Sequence, residues 1–267
     1  MEISNILNLN VHPQTLRKEL VDMGLGHRIE RKRPYLSPKQ KEARLKFAKE
    51  HIHWTEEDRR RVGFTDEMGL QTGANQGNIW VWRYPEEEYD EDCCAATHKS
   101  GFKKIKVWGA IRYDVLSKLV LLSEKKGEGK FTSQNYVDEV MDKELFDFWM
   151  SSMEEVGDIL IMEDGVGYHQ GAATRCRKEY EKDGWTGWGP GTWPANSPDL
   201  NPIENLWHIL RTNVGKRVPR PMKKQELIDS LKDEWEKLDM KVINDLIDSM
   251  PRRLQAVIDA EGGSTKY

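Results

Sequence analysis

The spacing of apolar residues predicts both strands and helices in this chain. In 61–67, Val62, Phe64 and Asp66 alternate with other side chains, which is the period of a strand with one buried face. The run 158–164 is almost continuously apolar and ends in acid, a pattern typical of a central strand buried on both faces. Further strands are predicted at 78–83, 104–112 and 118–123.

Apolar residues three and four positions apart predict helices between and after these strands. Helices are expected at 14–20, 38–51, 133–153, 169–182, 223–237 and 238–261. Another helix is predicted to start at Pro202, with Asn201 as its N-cap and Glu204 three residues after the cap. The stretch 184–191 is rich in Gly and Trp and is predicted to be a loop.

Charge divides the chain unevenly. The 267 residues carry a net charge of −4, but residues 1–50 hold eleven Lys/Arg against six Asp/Glu, leaving a net −9 for the remainder. A basic arm on an acidic body suits an enzyme that holds a polyanion and metal ions, although an ordinary solvated helix gives the same pattern. No apolar run approaches the ~20 residues that span a bilayer. The three cysteines lack the spacing of a disulfide framework or a zinc site.

Three acids stand where elements begin or end. A carboxylate on the buried face of a strand, such as Asp66, is costly unless it is paired, hydrogen-bonded or bound to metal. Asp164 ends the predicted central strand, where a helix-capping or turn role is the alternative. Glu204 is either a capping-box residue or a metal ligand held at a helix start. Glu67 and His169 are secondary candidates, with a packing role as the commoner interpretation of His169.

The segment 193–207, Trp-Pro-Ala-Asn-Ser-Pro-Asp-Leu-Asn-Pro-Ile-Glu-Asn-Leu-Trp, closely resembles the third acidic motif of the Tc1/mariner transposases. Asp66 in Thr-Asp-Glu and Asp164 in Glu-Asp-Gly-Val-Gly-Tyr-His resemble the first two motifs. Two departures are Gly165, where the family often has Asn, and a slightly long interval between Asp164 and Glu204.

This resemblance implies an α/β architecture: an RNase H-like catalytic domain, with a mixed central sheet flanked by helices, and a partial helix-turn-helix arm. The arm and a basic linker are expected at 1–58 and the catalytic domain at 59–267. Asp66, Asp164 and Glu204 would bind two Mg²⁺ ions, with Mn²⁺ as a substitute.

The function implied is that of a metal-dependent DNA endonuclease and strand transferase of a cut-and-paste transposon. Its expected partner is double-stranded DNA, on which it would assemble as a homodimer in the nucleus, with no membrane contact. The alternative is a domesticated or relic transposase that binds DNA without catalysis.

The resemblance also implies a DNA-binding role for the N-terminal residues. Gln14, Arg17 and Lys18 would face a major groove from a recognition helix. The basic linker would contact phosphates, although a nuclear-targeting patch or a simple tether is also consistent with it. Its candidate residues are Arg28, Arg31, Lys32 and Arg33. Because the chain begins about ten residues before the recognition helix, little sequence preference is expected of it.

Overall fold

The computed structural model describes residues 12–24, 35–72, 103–123, 131–189 and 192–267. The contacts divide the chain into two compact units, Met1–Tyr35 and Leu36–Tyr267. The predicted strand at 78–83 and the linker residues at 28–33 lie outside the described residues. No helix among the described residues is both long and apolar enough to cross a bilayer.

A mixed sheet forms the centre of the larger unit. Its strands are β1 (Val62–Gln71), β2 (Lys104–Arg112), β3 (Val115–Leu116), β4 (Val120–Leu122), β5 (Leu160–Met162) and β6 (Thr186–Trp188). Strand β1 pairs antiparallel with β2 and parallel with β5, and β6 runs parallel to β5 at the edge. Both β3 and β4 pair antiparallel with β2. The predicted strands at 61–67, 104–112, 118–123 and 158–164 are thus found with adjusted bounds.

The helices of the described residues follow in chain order. They are α1 (Pro13–Asp22), α2 (Pro38–His51), α3 (Glu56–Arg60), α4 (Ser133–Tyr136), α5 (Phe146–Val156), α6 (Ala172–Tyr180), α7 (Ile203–Lys216), α8 (Lys224–Glu236), α9 (Met240–Ile247) and α10 (Met250–Asp259). The predicted helix at 133–153 is interrupted, because a π-helical stretch, Val137–Leu145, joins α4 to α5. The predicted helix at 238–261 is divided between α9 and α10.

The sheet separates two hydrophobic clusters. Phe64 and Met68 of β1 point to one side, where they join the buried residues of α7, α8, α9 and α10. The buried residues of the segment from α4 to α5 form the other cluster, with Ile161 and Trp108 from the sheet. Successive side chains of a strand point to opposite faces, so the central strands β2 and β5 supply both clusters.

The prediction that 184–191 is a loop was wrong in part. Residues 186–188 form β6, whose register with β5 pairs Ile161 with Gly187. Gly187 lies so close to β5 that an added Cβ would meet the carbonyl oxygen of Ile161 at 2.8 Å. A strand of three residues with a glycine at its centre leaves no periodic pattern in the sequence, so only its tertiary pairing reveals it.

Helix α2 is part of the larger unit. Ser37 caps it in a capping box with Gln40, as the Ser-Pro start predicts. Its Arg44 is buried and forms a bidentate ion pair with Asp199, at 2.8 and 2.7 Å. The predicted domain boundary at residue 58 stays a prediction, and these contacts favour a division before α2.

Asp199 connects four segments of the chain. Besides Arg44, it accepts a hydrogen bond from Thr265 Oγ1 at 2.8 Å, and its backbone carbonyl accepts one from Arg253 Nη1 at 2.9 Å. Arg253 also donates to Asn205 Oδ1 in the first turn of α7. The loop before α7 is therefore fixed to α2, to α10 and to the C-terminal residues at once.

We expect Arg44→Ala to lower the free energy of unfolding by about 3–5 kcal/mol, because it leaves the buried carboxylate of Asp199 without its cation. Urea unfolding followed by circular dichroism measures the loss. The control is Lys46→Ala on the same helix, which breaks an exposed pair with Glu50 and should cost no more than about 0.5 kcal/mol.

The pair should also be sensitive to acid. Burial raises the pKa of Asp199, but the hydrogen bonds and charge of Arg44 outweigh burial and leave that pKa below its usual value. The stabilisation is therefore complete above the ordinary pKa of Asp and is lost as the pH falls through the lowered one. Equal losses for Arg44→Ala and Lys46→Ala would contradict this role.

Candidate active site

Asp66 lies within β1 and not at the strand end where it was predicted, because β1 continues to Gln71. The parallel neighbour of this strand, β5, ends two residues before Asp164. The carboxylate Oδ2 of Asp66 accepts a hydrogen bond from the indole Nε1 of Trp207 at 2.8 Å. Burial, the charge of Glu204 and the charge of Glu67 raise the pKa of Asp66 well above its usual range. The sequence placed this carboxylate on the same strand face as Phe64, and the structure agrees.

Asp164 follows β5, the parallel neighbour of β1. Since Phe64 pairs with Met162, the two aspartates lie equally far beyond the last registered pair. Asp164 Oδ1 accepts a hydrogen bond from the backbone N–H of Val166 at 3.1 Å and forms an ion pair with His169 Nδ1 at 3.0 Å. The same ring nitrogen donates to the backbone carbonyl of Asp164 at 3.0 Å. Burial raises the pKa of Asp164, but the bond and charge of His169 outweigh it and lower that pKa overall.

Glu204 stands in the first turn of α7 and does not form a capping box. The backbone N–H of Asn201, which a capping-box glutamate would bind, donates instead to the carbonyl of Pro198 at 3.1 Å. Helix α7 begins at Ile203, one residue after the predicted start at Pro202, and the predicted cap Asn201 accepts a hydrogen bond from the N–H of Ile203. The carboxylate of Glu204 is thus not engaged by its own helix start.

Asn201 holds the start of α7 against β1. Its side-chain Nδ2 donates to the carbonyl of Thr65 at 3.2 Å, and its Oδ1 accepts from the N–H of Ile203 at 3.4 Å. The hydroxyl of Thr65 in turn donates to the carbonyl of Met162 at 2.8 Å. These bonds connect Thr65, which precedes Asp66, and Ile203, which precedes Glu204, with Met162 at the end of β5.

The charges of the three acids act on one another. Burial and the charge of Asp164 raise the pKa of Glu204, while Arg211 opposes them. Asp66 is affected by Glu204 in the same sense. Two of the three carboxylates, Asp66 and Glu204, thus have raised pKa values and are short of positive charge, and hard oxygen donors of this kind suit Mg²⁺ or Mn²⁺. The donor set therefore fits a divalent cation.

A second cluster lies on the opposite face of β1, where Glu67 was expected to point. His169 Nε2 bonds to Glu67 Oε1 at 3.0 Å, and the hydroxyl of Tyr168 donates to Glu67 Oε2 at 2.6 Å. The ligand atoms of Glu67, Asp164 and His169 lie within 4.8 Å of one another, a separation that a metal ion could bridge. Asp66 and Glu204 are not members of this cluster.

A protonated His169 already supplies positive charge to the second cluster. Burial lowers the pKa of His169, but hydrogen bonds to Asp164 and Glu67, with the charges of Glu67 and Glu163, raise it to about 10. The imidazolium therefore donates from both ring nitrogens at neutral pH. His169 does pack against Tyr136, with ring centroids 4.4 Å apart, but it also bridges two carboxylates, which the packing interpretation missed.

Sequence reasoning also missed the role of Glu163. Its buried carboxylate forms an ion pair with Arg177 and accepts a hydrogen bond from the hydroxyl of Tyr136 at 2.8 Å. Arg177 Nη1 donates to the carbonyl of His169 at 2.7 Å. This network braces the loop that carries Asp164. The only sequence signal for this role of Glu163 is the pair of adjacent acids, Glu163 and Asp164, at the end of a buried strand.

The N-terminal candidates are exposed on α1. Gln14, Arg17 and Lys18 are all solvent-facing residues of this helix, which His12 caps by accepting a hydrogen bond from the N–H of Gln14. Arg28, Arg31, Lys32 and Arg33 lie outside the described residues.

Comparison with known proteins identifies the family of the chain. A transposase helix-turn-helix model matches residues 1–53, and the model of the DDE superfamily endonucleases matches residues 61–228. The chain is 31% identical over 261 residues to the Tc1 transposase of Caenorhabditis elegans, covering 95% of this chain and 88% of that protein. It is 30% identical over 257 residues to the Tcb2 transposase of Caenorhabditis briggsae, with the same coverage.

Solved structures of the Mos1 mariner transposase share the fold. Its paired-end complex with Mn superposes with a TM-score of 0.77 at 17% identity, over 99% of this chain and 75% of that one. Its catalytic domain superposes with a TM-score of 0.64 at 14% identity, over 88% of this chain and the whole of that one. The predicted RNase H-like architecture is confirmed. The chain belongs to the DDE superfamily endonucleases and, within them, to the Tc1/mariner family of transposases.

Proposed function

We propose that this transposase cuts DNA and joins DNA strands with two divalent metal ions held by Asp66, Asp164 and Glu204. The observation that supports the proposal is electrostatic: the charge of Asp164 raises the pKa of Glu204, and the charge of Glu204 raises that of Asp66, although the three acids come from distant segments of the chain. The relatives that are solved with transposon ends are described as Mos1 complexes with Mn or Mg. Mg²⁺ is the proposed ion and Mn²⁺ its substitute.

A different structural feature would orient each acid toward the ions. Asp66 is oriented by a neutral indole donor, Asp164 by the imidazolium of His169, and Glu204 by the helix start that Asn201 ties to β1. Bound divalent ions lower the pKa of a coordinated water or 3′-hydroxyl and stabilise the leaving oxygen. No side chain is then required as the general base.

DNA is the proposed partner of both units. The exposed residues Gln14, Arg17 and Lys18 of α1 would read or contact one duplex, and the basic linker would bind phosphates. We further propose that the chain assembles as a homodimer on DNA ends and acts in the nucleus, where a basic segment at 28–34 suits nuclear targeting. A relic that binds DNA without cutting it remains the competing function.

The proposed metal site is tested by Glu204→Gln, which replaces a ligand oxygen by an amide nitrogen. Nicking of a supercoiled plasmid bearing Tc1-like terminal repeats should fall by more than about a hundredfold in Mg²⁺ or Mn²⁺, since changes behind metal ligands already cost 10–100-fold. The matched control is Glu236→Gln on the exposed surface of α8, which should nick like the wild type. Binding without nicking by the wild type in both metals would establish the relic.

The same substitution should stabilise the metal-free protein. The raised pKa of Glu204 means that the folded state binds its proton more tightly than the unfolded state does. The protonated carboxyl group of Glu204 therefore stabilises the fold in full below the pKa of the unfolded chain, and this contribution is lost as the pH rises through the folded pKa. At pH 7 the melting temperature of metal-free Glu204→Gln should exceed that of the wild type, and added Mn²⁺ should reverse the order.

Calorimetry at pH 4 and pH 7 checks this sign, because the advantage of the glutamine should shrink at the lower pH. The exposed control Glu236→Gln should show no such pH-dependent difference. If metal-free Glu204→Gln melts below the wild type at pH 7, the carboxylate of Glu204 already has enough positive charge around it without a metal ion.

Another prediction concerns the basic linker. Replacing Arg31, Lys32 and Arg33 together by Gln should weaken binding to every duplex and reduce the slope of log affinity against log salt by up to about 2.7, or about 0.9 per phosphate contact. Fluorescence anisotropy with repeat-bearing and scrambled duplexes measures both effects.

The control replaces three exposed lysines of the C-terminal helices by Gln, namely Lys232, Lys237 and Lys241. Two of them form ion pairs within their own helices, Lys237 with Asp233 and Lys241 with Asp245. The salt slope of this control should stay near that of the wild type. An unchanged slope for the linker variant would mean that the linker is only a tether.

A further inference from the structure

Trp207 contacts Asp66, the first of the three acids in chain order. It lies three residues after Glu204 on α7, so both side chains belong to adjacent turns of one helix. Its indole is fully buried, and its only polar atom, Nε1, donates to Asp66 Oδ2 at 2.8 Å. One helix thus supplies one acid and orients another.

The surroundings of Trp207 leave its ring little freedom. It stacks on Trp235 of α8, with ring centroids 5.0 Å apart and planes 22° apart. On β2, Gly109 is the register partner of Asp66, and a Cβ there would meet Trp235 at 2.8 Å and Trp207 at 3.0 Å. The indole therefore lies between α8 and a glycine on the strand beside Asp66.

An indole is chemically suited to orient a metal-binding carboxylate. Its N–H only donates, and it carries no charge, so it fixes one carboxylate oxygen without neutralising the acid as Lys or Arg would. A buried carboxylate without any such donor would be free to rotate away from its neighbours. The bond also satisfies the indole, whose N–H would otherwise be a buried donor without a partner.

We propose that Trp207 is a positioning residue that holds the carboxylate of Asp66 in the orientation required for metal binding. The inference rests on the proposed metal-dependent function. The proposal links two acids of the site, because α7, the helix that carries Glu204, also carries the indole that orients the carboxylate of Asp66. A purely structural tryptophan would affect stability but not the affinity of the site for metal.

The test is Trp207→Phe, which keeps an aromatic ring in the stack but removes the N–H donor. The control is Trp149→Phe, in the cluster on the other side of the sheet, where the buried indole nitrogen has no hydrogen-bond partner among the described residues. Both changes remove similar core volume. Only the first touches a carboxylate.

Isothermal titration of the metal-free full-length chain with Mn²⁺ gives the main readout. Trp207→Phe should bind Mn²⁺ about 10–100-fold more weakly than the wild type, the range for partners that orient metal ligands, and Trp149→Phe within about threefold. In nicking assays, the Mn²⁺ concentration for half-maximal rate should rise for Trp207→Phe. A structural defect would lower the rate without moving that concentration.

Unchanged Mn²⁺ affinity in a folded Trp207→Phe protein would overturn the positioning role and leave the proposed function intact. A wild type that neither binds Mn²⁺ nor nicks DNA would overturn both. If Trp207→Phe does not fold, Gly109→Ala replaces it, because its methyl group must displace the two indoles. Its control is Gly69→Ala on β1, where an added Cβ meets nothing within 4 Å; equal Mn²⁺ affinities for these two variants would overturn the inference.

Discussion

The buried ion pair between Arg44 and Asp199 fixes the segment on which the site depends. Glu204 reaches the sheet only because the loop before α7 follows one path, and Asp199 is the residue that attaches this loop to α2, α10 and the C-terminal residues. Removing one partner of such a pair leaves an uncompensated charge in the interior. Asp199 thus has a structural role within the motif, while Glu204, five positions later, is the proposed metal ligand.

The three acids of the proposed site are stabilised in different ways. Asp164 has a cation, His169, and a lowered pKa, whereas Asp66 has neutral donors, the indole of Trp207 and the backbone of Glu67, and a raised pKa. Glu204 has a raised pKa that the charge of Arg211 partly offsets. The negative charge is therefore least compensated between Asp66 and Glu204, which is where a divalent ion would contribute most. On the other face of β1, the protonated His169 already compensates Glu67.

Much of the larger unit follows from local patterns. The alternation around Phe64 places Asp66 on a buried strand face, and the apolar run before Asp164 identifies the central strand. The start of α7 was predicted within one residue from Pro202. The N-terminal match and the RNase H-like fold follow from the resemblance of residues 193–207 to a known motif, which periodicity alone would not have supplied.

Other features depend on contacts between distant residues. The roles of Asp199 and Glu163 require partners 155 and 14 positions away, and nothing in the local sequence distinguishes them from solvated acids. The strand Thr186–Trp188, with a glycine at its centre, is too short to show a period. The bond between Trp207 and Asp66 joins residues 141 positions apart. Each of these becomes visible only when the chain is folded.

The central claim is that Asp66, Asp164 and Glu204, and not the neighbouring histidine cluster, hold the metal. Anomalous diffraction from crystals of the full-length chain grown with Mn²⁺ and DNA tests it directly. Two manganese peaks about 3.5–4 Å apart are expected, ligated by these three carboxylates, with His169 still bonded to Glu67. A single peak bound by Glu67, Asp164 and His169, with Asp66 and Glu204 unliganded, would contradict it.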